Sequence, residues 1–208
     1  MDISLIGSFI LATVVSGEVN RPLWALKAYG SSIEFQVKRN GKSIGKHLVE
    51  FAQENEILTV TSTTRMRIKF LFITAYKFDY LSTETWGASG LQTVNSFSND
   101  DGEKTTSYFP FSENMEILPT NHWNPDVINS SIIFNTITGE NNNVKIVFEG
   151  EEEVLTGAGV RSANKYRYSG DLFNVWVWYD TQDRWVRLEF QGNDGSRITY
   201  QCIVCGQS

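Results

Sequence analysis

The stretch that decides the fold runs over residues 31–53, SSIEFQVKRNGKSIGKHLVEFAQ. Ile33, Phe35 and Val37 alternate with Glu34, Gln36 and Lys38, so a strand here carries apolar side chains on one face and polar ones on the other. Asn40-Gly41 offers two positions that tolerate positive φ, the signal of a tight hairpin, and the chain returns over residues 43–53. The neighbouring sequence reads the same way. Glu54-Asn55-Glu56 turns the chain into a long β-branched and aromatic stretch over 57–86. A break is expected within 68–74 (IKFLFIT), where alternation gives way to a continuous apolar run. Ala88-Ser89-Gly90 and Asn99-Asp100-Asp101-Gly102 enclose a strand over 91–98, and 103–111 is its partner.

The C-terminal third alternates again. Lys165-Tyr166-Arg167-Tyr168 precedes Ser169-Gly170-Asp171. Val175, Val177 and Tyr179 then oppose Trp176, Trp178 and Asp180, and Thr181-Gln182-Asp183 turns the chain. Trp185, Arg187 and Glu189 oppose Val186, Leu188 and Phe190, and Asn193-Asp194-Gly195 leads into a last strand over 197–204. With Trp176 and Trp178 between apolar valines, both faces of that hairpin must be covered, by core on one side and by a helix, loop or ligand on the other.

Regularity stops over 118–138. Asn124-Pro125-Asp126 combines a capping Asn, a Pro at the first helical position and an acid in the first turn, which predicts one short helix near residues 125–134. Asn141-Asn142-Asn143 reads as a polar turn. The acidic run Glu149 to Glu153 reads as a solvated hairpin tip, because it lacks metal-loop spacing. The expected architecture is all-β and mostly antiparallel: a curved single sheet of about ten strands, long enough to form a barrel or half-barrel, with the helix plugging or covering one end.

Composition agrees. The chain has 208 residues with 13% aromatic content, only 4 Pro, and a formal net charge of -6. At this length a single core buries roughly 70% of the unfolded surface, so neither a metal nor a disulfide is required. Acidic residues outnumber basic ones, which argues against nucleic acid as a partner. No Walker loop, dinucleotide glycine pattern, nucleophile elbow, zincin motif or EF-hand spacing is present, so no cofactor and no metal is expected.

The apolar run over 3–15 (ISLIGSFILATVV) is too short for a transmembrane span but fits the h-region of a secretory signal. Ser16-Gly17 or the later Ala25-Leu26-Lys27-Ala28 supplies small residues for cleavage, while Asp2 stands where such a signal carries Lys or Arg. The expectation is export, to the periplasm or beyond, with residues 1–28 as signal or N-terminal segment and 29–208 as one antiparallel β domain. Cys202 and Cys205 form the one C-x-x-C, which closes a strand rather than opening a helix; the pair is either free or a local disulfide.

Several motifs together carry a family resemblance. Gly41-Lys42-Ser43-Ile44-Gly45-Lys46-His47 followed by Phe51, Glu84-Thr85-Trp86 ahead of Gly90-Leu91, and His122-Trp123-Asn124 are three of them. Asn135-Thr136-Ile137-Thr138-Gly139, then Trp178-Tyr179-Asp180 with Arg184-Trp185-Val186 and Asp194-Gly195, complete the set. In this order they resemble a family of exported bacterial proteins, domain of unknown function six-one-three-four. The resemblance implies export and a single β domain, and assigns no catalytic residue. A more distant likeness to periplasmic lipoprotein-carrier β folds implies a curved sheet around an apolar cavity closed by short helices.

Three functions follow as expectations. The first is a non-catalytic binding module holding a lipid-like or other apolar small molecule, with Phe70, Phe72, Trp86, Trp123, Trp176 and Trp178 as ligand-binding candidates. The second is a hydrolase centred on His122, oriented by Asp126, Asp180 or Glu84. The third is an envelope interaction protein presenting an exposed apolar patch. His47, which shares a strand face with Val49 and Phe51, is expected to point inward, and convergence with His122 would be needed for any acid/base or metal site.

Overall fold

The computed structural model describes residues 21–70, 73–110 and 117–206. The apolar run 3–15, Phe72 and the side chain of Phe70 lie outside the described residues. A helix, α1 (Arg21–Tyr29), precedes β1 (Ser32–Arg39), β2 (Lys42–Glu54), β3 (Ile57–Phe70), β4 (Ile73–Gly87), β5 (Gly90–Asp100) and β6 (Glu103–Pro110). Then come β7 (Leu118–Pro119), a 3₁₀ turn (Pro125–Asn129), β8 (Ile132–Asn135), β9 (Glu140–Thr156), β10 (Gly159–Gly170), β11 (Val175–Asp180), β12 (Trp185–Gln191) and β13 (Arg197–Val204). All thirteen strands form one sheet, in the order β6-β5-β4-β3-β2-β1-β13-β12-β11-β10-β9-β8-β7. Every neighbouring pair is antiparallel except β7 and β8. Among the described residues no helix is long and apolar enough to cross a membrane.

The founding hairpin forms as its residues dictate. Asn40 and Gly41 take φ of 48° and 81° between β1 and β2, and Ile33, Phe35 and Val37 are fully buried. Gly45 has a different reason to be glycine: a Cβ there would stand 2.0 Å from the Arg65 carbonyl oxygen, so β2 and β3 approach where only a hydrogen fits.

The sheet is a curved half-barrel, open between its edge strands β6 and β7. Side chains bridge part of the gap. Phe109 on β6 stacks on Phe134 of β8 with ring centroids 4.7 Å apart, and the Ser98 hydroxyl donates to the Ile137 carbonyl at 3.1 Å. Inside the curl lie α1 and the chain between β7 and β8. Tyr29 stacks on Phe51, Trp123 meets Phe51 and Trp86 edge-on, and Trp123 is fully buried.

Two expectations are corrected. The strand number is thirteen rather than about ten, chiefly because the irregular segment contributes β7 and β8; the break expected within 68–74 is where β3 gives way to β4. The helix expected near 125–134 starts as expected, with the Asn124 side chain accepting from the Asp126 N–H, but ends at Asn129 as a 3₁₀ turn. Ile132–Asn135 instead pairs with β9 in a strand that buries Ile133 and Phe134. Cross-strand burial has overridden the weak propensity of a β-branched, Asn- and Ser-rich segment for helix.

α1 has only nine residues, too short to persist alone. Tertiary contacts hold it. Ala25 and Tyr29 are buried, and the Tyr29 hydroxyl donates to the Trp123 carbonyl and accepts from the Trp185 N–H, both at 2.9 Å. Cys202 and Cys205 are joined in a disulfide buried at the end of β13. Tyr29→Phe leaves a buried carbonyl and a buried N–H without partners, and is expected to destabilise the fold by about 3 kcal/mol in urea denaturation. An unchanged denaturation midpoint would show that α1 is not anchored through this hydroxyl.

Candidate functional site

Five of the chemically interesting side chains meet inside the curl, in two groups: Glu84 with Trp86 and Trp123, and His47 with His122. Glu84, on β4, is fully buried, and among the described residues no cation pairs with it. One carboxylate oxygen accepts the indole N–H groups of Trp86 at 2.8 Å and Trp123 at 3.1 Å, and the other accepts from the Asn121 amide. Asn121 is oriented in turn by the Tyr80 hydroxyl at 3.0 Å, which also contacts the Thr136 hydroxyl at 2.6 Å. His47 and His122 form the second group, with ring centroids 5.4 and 5.5 Å from that of Trp185. His47 Nδ1 bonds the Thr64 hydroxyl at 2.7 Å, and its Nε2 has no partner among the described residues. His122 Nδ1 lies 3.3 Å from the Tyr168 hydroxyl.

Burial raises the Glu84 carboxyl to about 7, the three N–H donors pulling the other way without cancelling it. Burial lowers His47 to about 3, with nearby His122 adding to the effect, and lowers His122 to about 4. Neither imidazole is a base poised near neutrality, and no hydrogen bond joins His122 to Glu84 or Asp180. Asp180 is occupied elsewhere. It accepts from Arg161 at 2.9 Å and from the Arg184 side chain at 2.8 Å, and it caps the β11–β12 turn through the Gln182 and Arg184 N–H groups. Asp126 stands at the start of the 3₁₀ turn. The structure therefore unites Glu84 with Trp86 and Trp123, and His47 with His122, and leaves Asp180 apart. No group of three or more His, Cys, Asp or Glu among the described residues is arranged to hold a metal.

Trp176 and Trp178 point the other way, from β11 onto the face opposite Val177 and Tyr179. Pairing across strands sets Arg167, Trp176 and Glu189 in one row and Lys165, Trp178 and Arg187 in the next. The Lys165 ammonium and Arg187 guanidinium lie 5.2 and 4.8 Å from the Trp178 ring centroid. Both indole N–H groups donate to acids of β9, Trp176 to Glu149 at 3.1 Å and Trp178 to Glu152 at 2.6 Å. The acidic run is therefore the middle of strand β9, not a hairpin tip. Glu149 also pairs with Arg167 and Lys165, Glu152 with Lys165, and Glu189 with Arg187 and Arg197.

These residues line a groove of ≈ 620 Å³. A second hollow of ≈ 660 Å³ shares Trp176, Glu189 and Arg197 with it and continues to Asn40, Gly41 and Gly195. The tip of the β9–β10 hairpin helps make this face concave. Although three strands separate β9 from β13, the Gly157 N–H donates to the Cys202 carbonyl at 2.9 Å and the Gln201 amide to the Leu155 carbonyl at 3.1 Å. Val154 thereby packs with Ala163, Trp178 and Val186 in a small second core.

The cations and acids framing the tryptophans were missed as site residues. Their signal was present in the alternation of Lys165, Arg167, Arg187 and Glu189 on the polar face. The role of Trp185 was also misread. A bulge between Trp178/Tyr179 lets Trp185 turn inward opposite Tyr179 while Val186 joins the outer cluster.

A curled, open, almost wholly antiparallel sheet with a filled interior and a polar aromatic groove outside defines a β-barrel-like class of protein. Within that class, the chain belongs to the family Domain of unknown function (DUF6134), whose family model matches residues 35–203. Among solved structures it resembles a β-barrel-like protein of domain of unknown function DUF1849 from Brucella abortus, at 10% identity and a TM-score of 0.52, covering 83% of this chain and 94% of that one. A looser likeness, with a TM-score of 0.32 at 11% identity over 85% of this chain and 95% of the other, is to a candidate lipoprotein from Parabacteroides distasonis. No curated protein sequence matches the chain.

The buried acid and the buried imidazoles affect stability with opposite signs. Glu84 holds its proton more tightly when folded, so its contribution is complete below about 4.5 and is lost as pH rises through about 7. The histidines contribute fully above 6.5 and lose that contribution as pH falls towards 4 and 3. Relative to wild type, Glu84→Gln is expected to gain about 3 kcal/mol between pH 4.5 and pH 8 in urea denaturation series. A difference that stays constant with pH would show that Glu84 ionises as an ordinary carboxyl.

Proposed function

We propose that the protein is an exported, non-catalytic binding module whose ligand site is the groove over Trp176 and Trp178. The observation that carries this reading is the contrast between the two faces. The groups capable of acid/base work are buried and tied to internal partners, while the outer face presents the partly exposed, oriented Trp176 indole, seated on buried Trp178 and framed by paired charges. The groove-lining acids and bases are already neutralised by one another, which suits recognition rather than chemistry.

A lipid-like or other apolar ligand is the second reading, favoured by exposed Phe148, Leu155 and Val160 on the β9–β10 hairpin. An envelope interaction surface would use the same side chains. The half-barrel interior is a poorer place for such a ligand, since α1, Trp86 and Trp123 occupy it.

Export is part of the proposal and rests on the apolar run 3–15. The structure of α1 bears on where processing would fall. Cleavage at Ala25 to Ala28 would remove Ala25 from the core, so cleavage at Ser16-Gly17 is the site compatible with the fold. Expression with the native N-terminus, recovery from the envelope fraction, and intact and native mass spectrometry test both parts. The expected result is a chain starting upstream of Arg21 with a defined co-purifying mass. Full-length protein confined to the cytosol would overturn export, and a chain starting after Ala25 would overturn the placement of α1.

A further inference from the structure

The groove has a chemistry more specific than binding in general. Its charges are tied to one another in a shared network: the four bases Lys165, Arg167, Arg187 and Arg197 face the three acids Glu149, Glu152 and Glu189, each within salt-bridge distance of at least one group of opposite sign. An anionic ligand would meet three carboxylates, and a cationic ligand four bases. A neutral ligand meets neither problem. To it, a paired carboxylate or guanidinium is a fixed acceptor or donor, held in place before binding.

The second feature is Trp176. It lines both hollows, is half-buried, and has its N–H fixed on Glu149, so its ring is set in one orientation. A fixed indole flanked by fixed donors and acceptors suits a molecule with a flat C–H face and a rim of hydroxyls. The third feature is length. The two joined hollows lie over strands β9 to β13, four inter-strand steps, or about 19 Å at the usual spacing.

An extended peptide is the poorer fit. It would need free backbone donors and acceptors under the groove, whereas residues 163–168, 175–179 and 187–190, which carry Lys165, Arg167, Trp176, Arg187 and Glu189, are paired on both sides; the unpaired side of β9 lies at the groove's margin. An acyl chain would have to lie on seven charged side chains. We infer that the groove over Trp176 binds an uncharged saccharide chain of several pyranose units, stacked on the Trp176 ring and hydrogen-bonded by Glu189 and Arg197. This inference deepens the binding-module reading and rests on it.

The test is titration of the ¹⁵N-labelled protein with maltotetraose, cellotetraose and the tetramer of N-acetylglucosamine, following the indole N–H resonances. At least one of the three is expected to move the Trp176 and Trp178 resonances saturably, leaving those of Trp86 and Trp123 in place. Because the ligand is neutral, Kd should change less than about twofold between low and high salt. Trp176→Ala should raise Kd at least about tenfold. Arg197→Ala, at a mostly exposed position where folding is not at stake, should raise it about threefold or more, and Phe148→Ala should leave it unchanged.

Silence of the Trp176 resonance with all three saccharides, binding that survives Trp176→Ala, or affinity that collapses with salt would each overturn the proposal. Silent indoles in a protein that co-purifies with a lipid would remove the saccharide and leave the binding module standing. Silent indoles in a protein that is empty from the cell would remove both.

Discussion

A thirteen-stranded sheet with one apolar face must bury that face, and the buried carboxylate of Glu84 determines what fills the curl. Two of its three donors, the Trp123 indole and the Asn121 amide, come from the segment between β7 and the 3₁₀ turn. Were that segment elsewhere, the carboxylate would face aromatic rings with only Trp86 as partner, a burial that costs several kcal/mol. Trp123 is thus drawn to the centre, and its backbone carbonyl is taken by the Tyr29 hydroxyl, which also holds the Trp185 N–H. Helix α1, strand β4, strand β12 and the segment crossing the interior are fixed with respect to one another through two side chains.

A filled interior leaves the outer face as the accessible one. The half-barrel is packed by its own tryptophans and tyrosines, and the long β9–β10 hairpin bends over β12 and β13. Register shifts between Lys165/Tyr166 and Trp178/Tyr179 fall in the strands that bend, as expected of bulges, which sharpen local twist. A face that is usually convex and solvated becomes concave there, and the indoles of β11 lie at its base.

Much of the architecture was legible because period-two alternation and turn chemistry are local signals. The hairpin at Asn40-Gly41, the turns at Asn99 to Gly102 and Asn193 to Gly195, and the cap at Asn124 all form where their residues ask for them. What was not legible depends on partners distant in sequence. Ile132–Asn135 becomes a strand because β9 lies beside it. Arg21–Tyr29 is a helix because Trp123 and Trp185 receive Tyr29. Trp185 turns inward because of one extra residue, and a one-residue slip exchanges the two faces of everything after it. For the site, alternation placed Trp176 and Trp178 on one face of β11 but could not say that Glu149 and Glu152 would arrive from a strand two places away. The two histidines did converge, yet inside the core, where burial rather than any catalytic partner governs their protonation.

The outer face also differs from one half of the sheet to the other. Over β3, β4 and β5 it carries Thr59, Thr61, Thr63, Thr83, Thr85 and Thr93, with the Thr85 and Thr93 hydroxyls 2.7 Å apart across the strands, beside exposed Leu81 and Phe97 and, among the described residues, a single ion pair of Arg67 with Asp79. Threonine is what a solvated strand face needs: β-branched, polar and neutral. Over β10, β11 and β12 the same kind of positions hold tryptophans, arginines, lysine and glutamates. Partly exposed ion pairs of this sort each add at most about 1 kcal/mol, so stability alone gives no reason to prefer them to threonine. Nor does packing, since Trp176 remains half-buried where a smaller residue would be covered. What the arrangement does achieve is orientation: each indole N–H is held by an acid, and each acid by a base. Orientation fixed in advance costs conformational freedom at folding and repays it when a ligand binds, because less then remains to be ordered. That is the physical ground on which the proposed ligand site is placed in this half of the outer face.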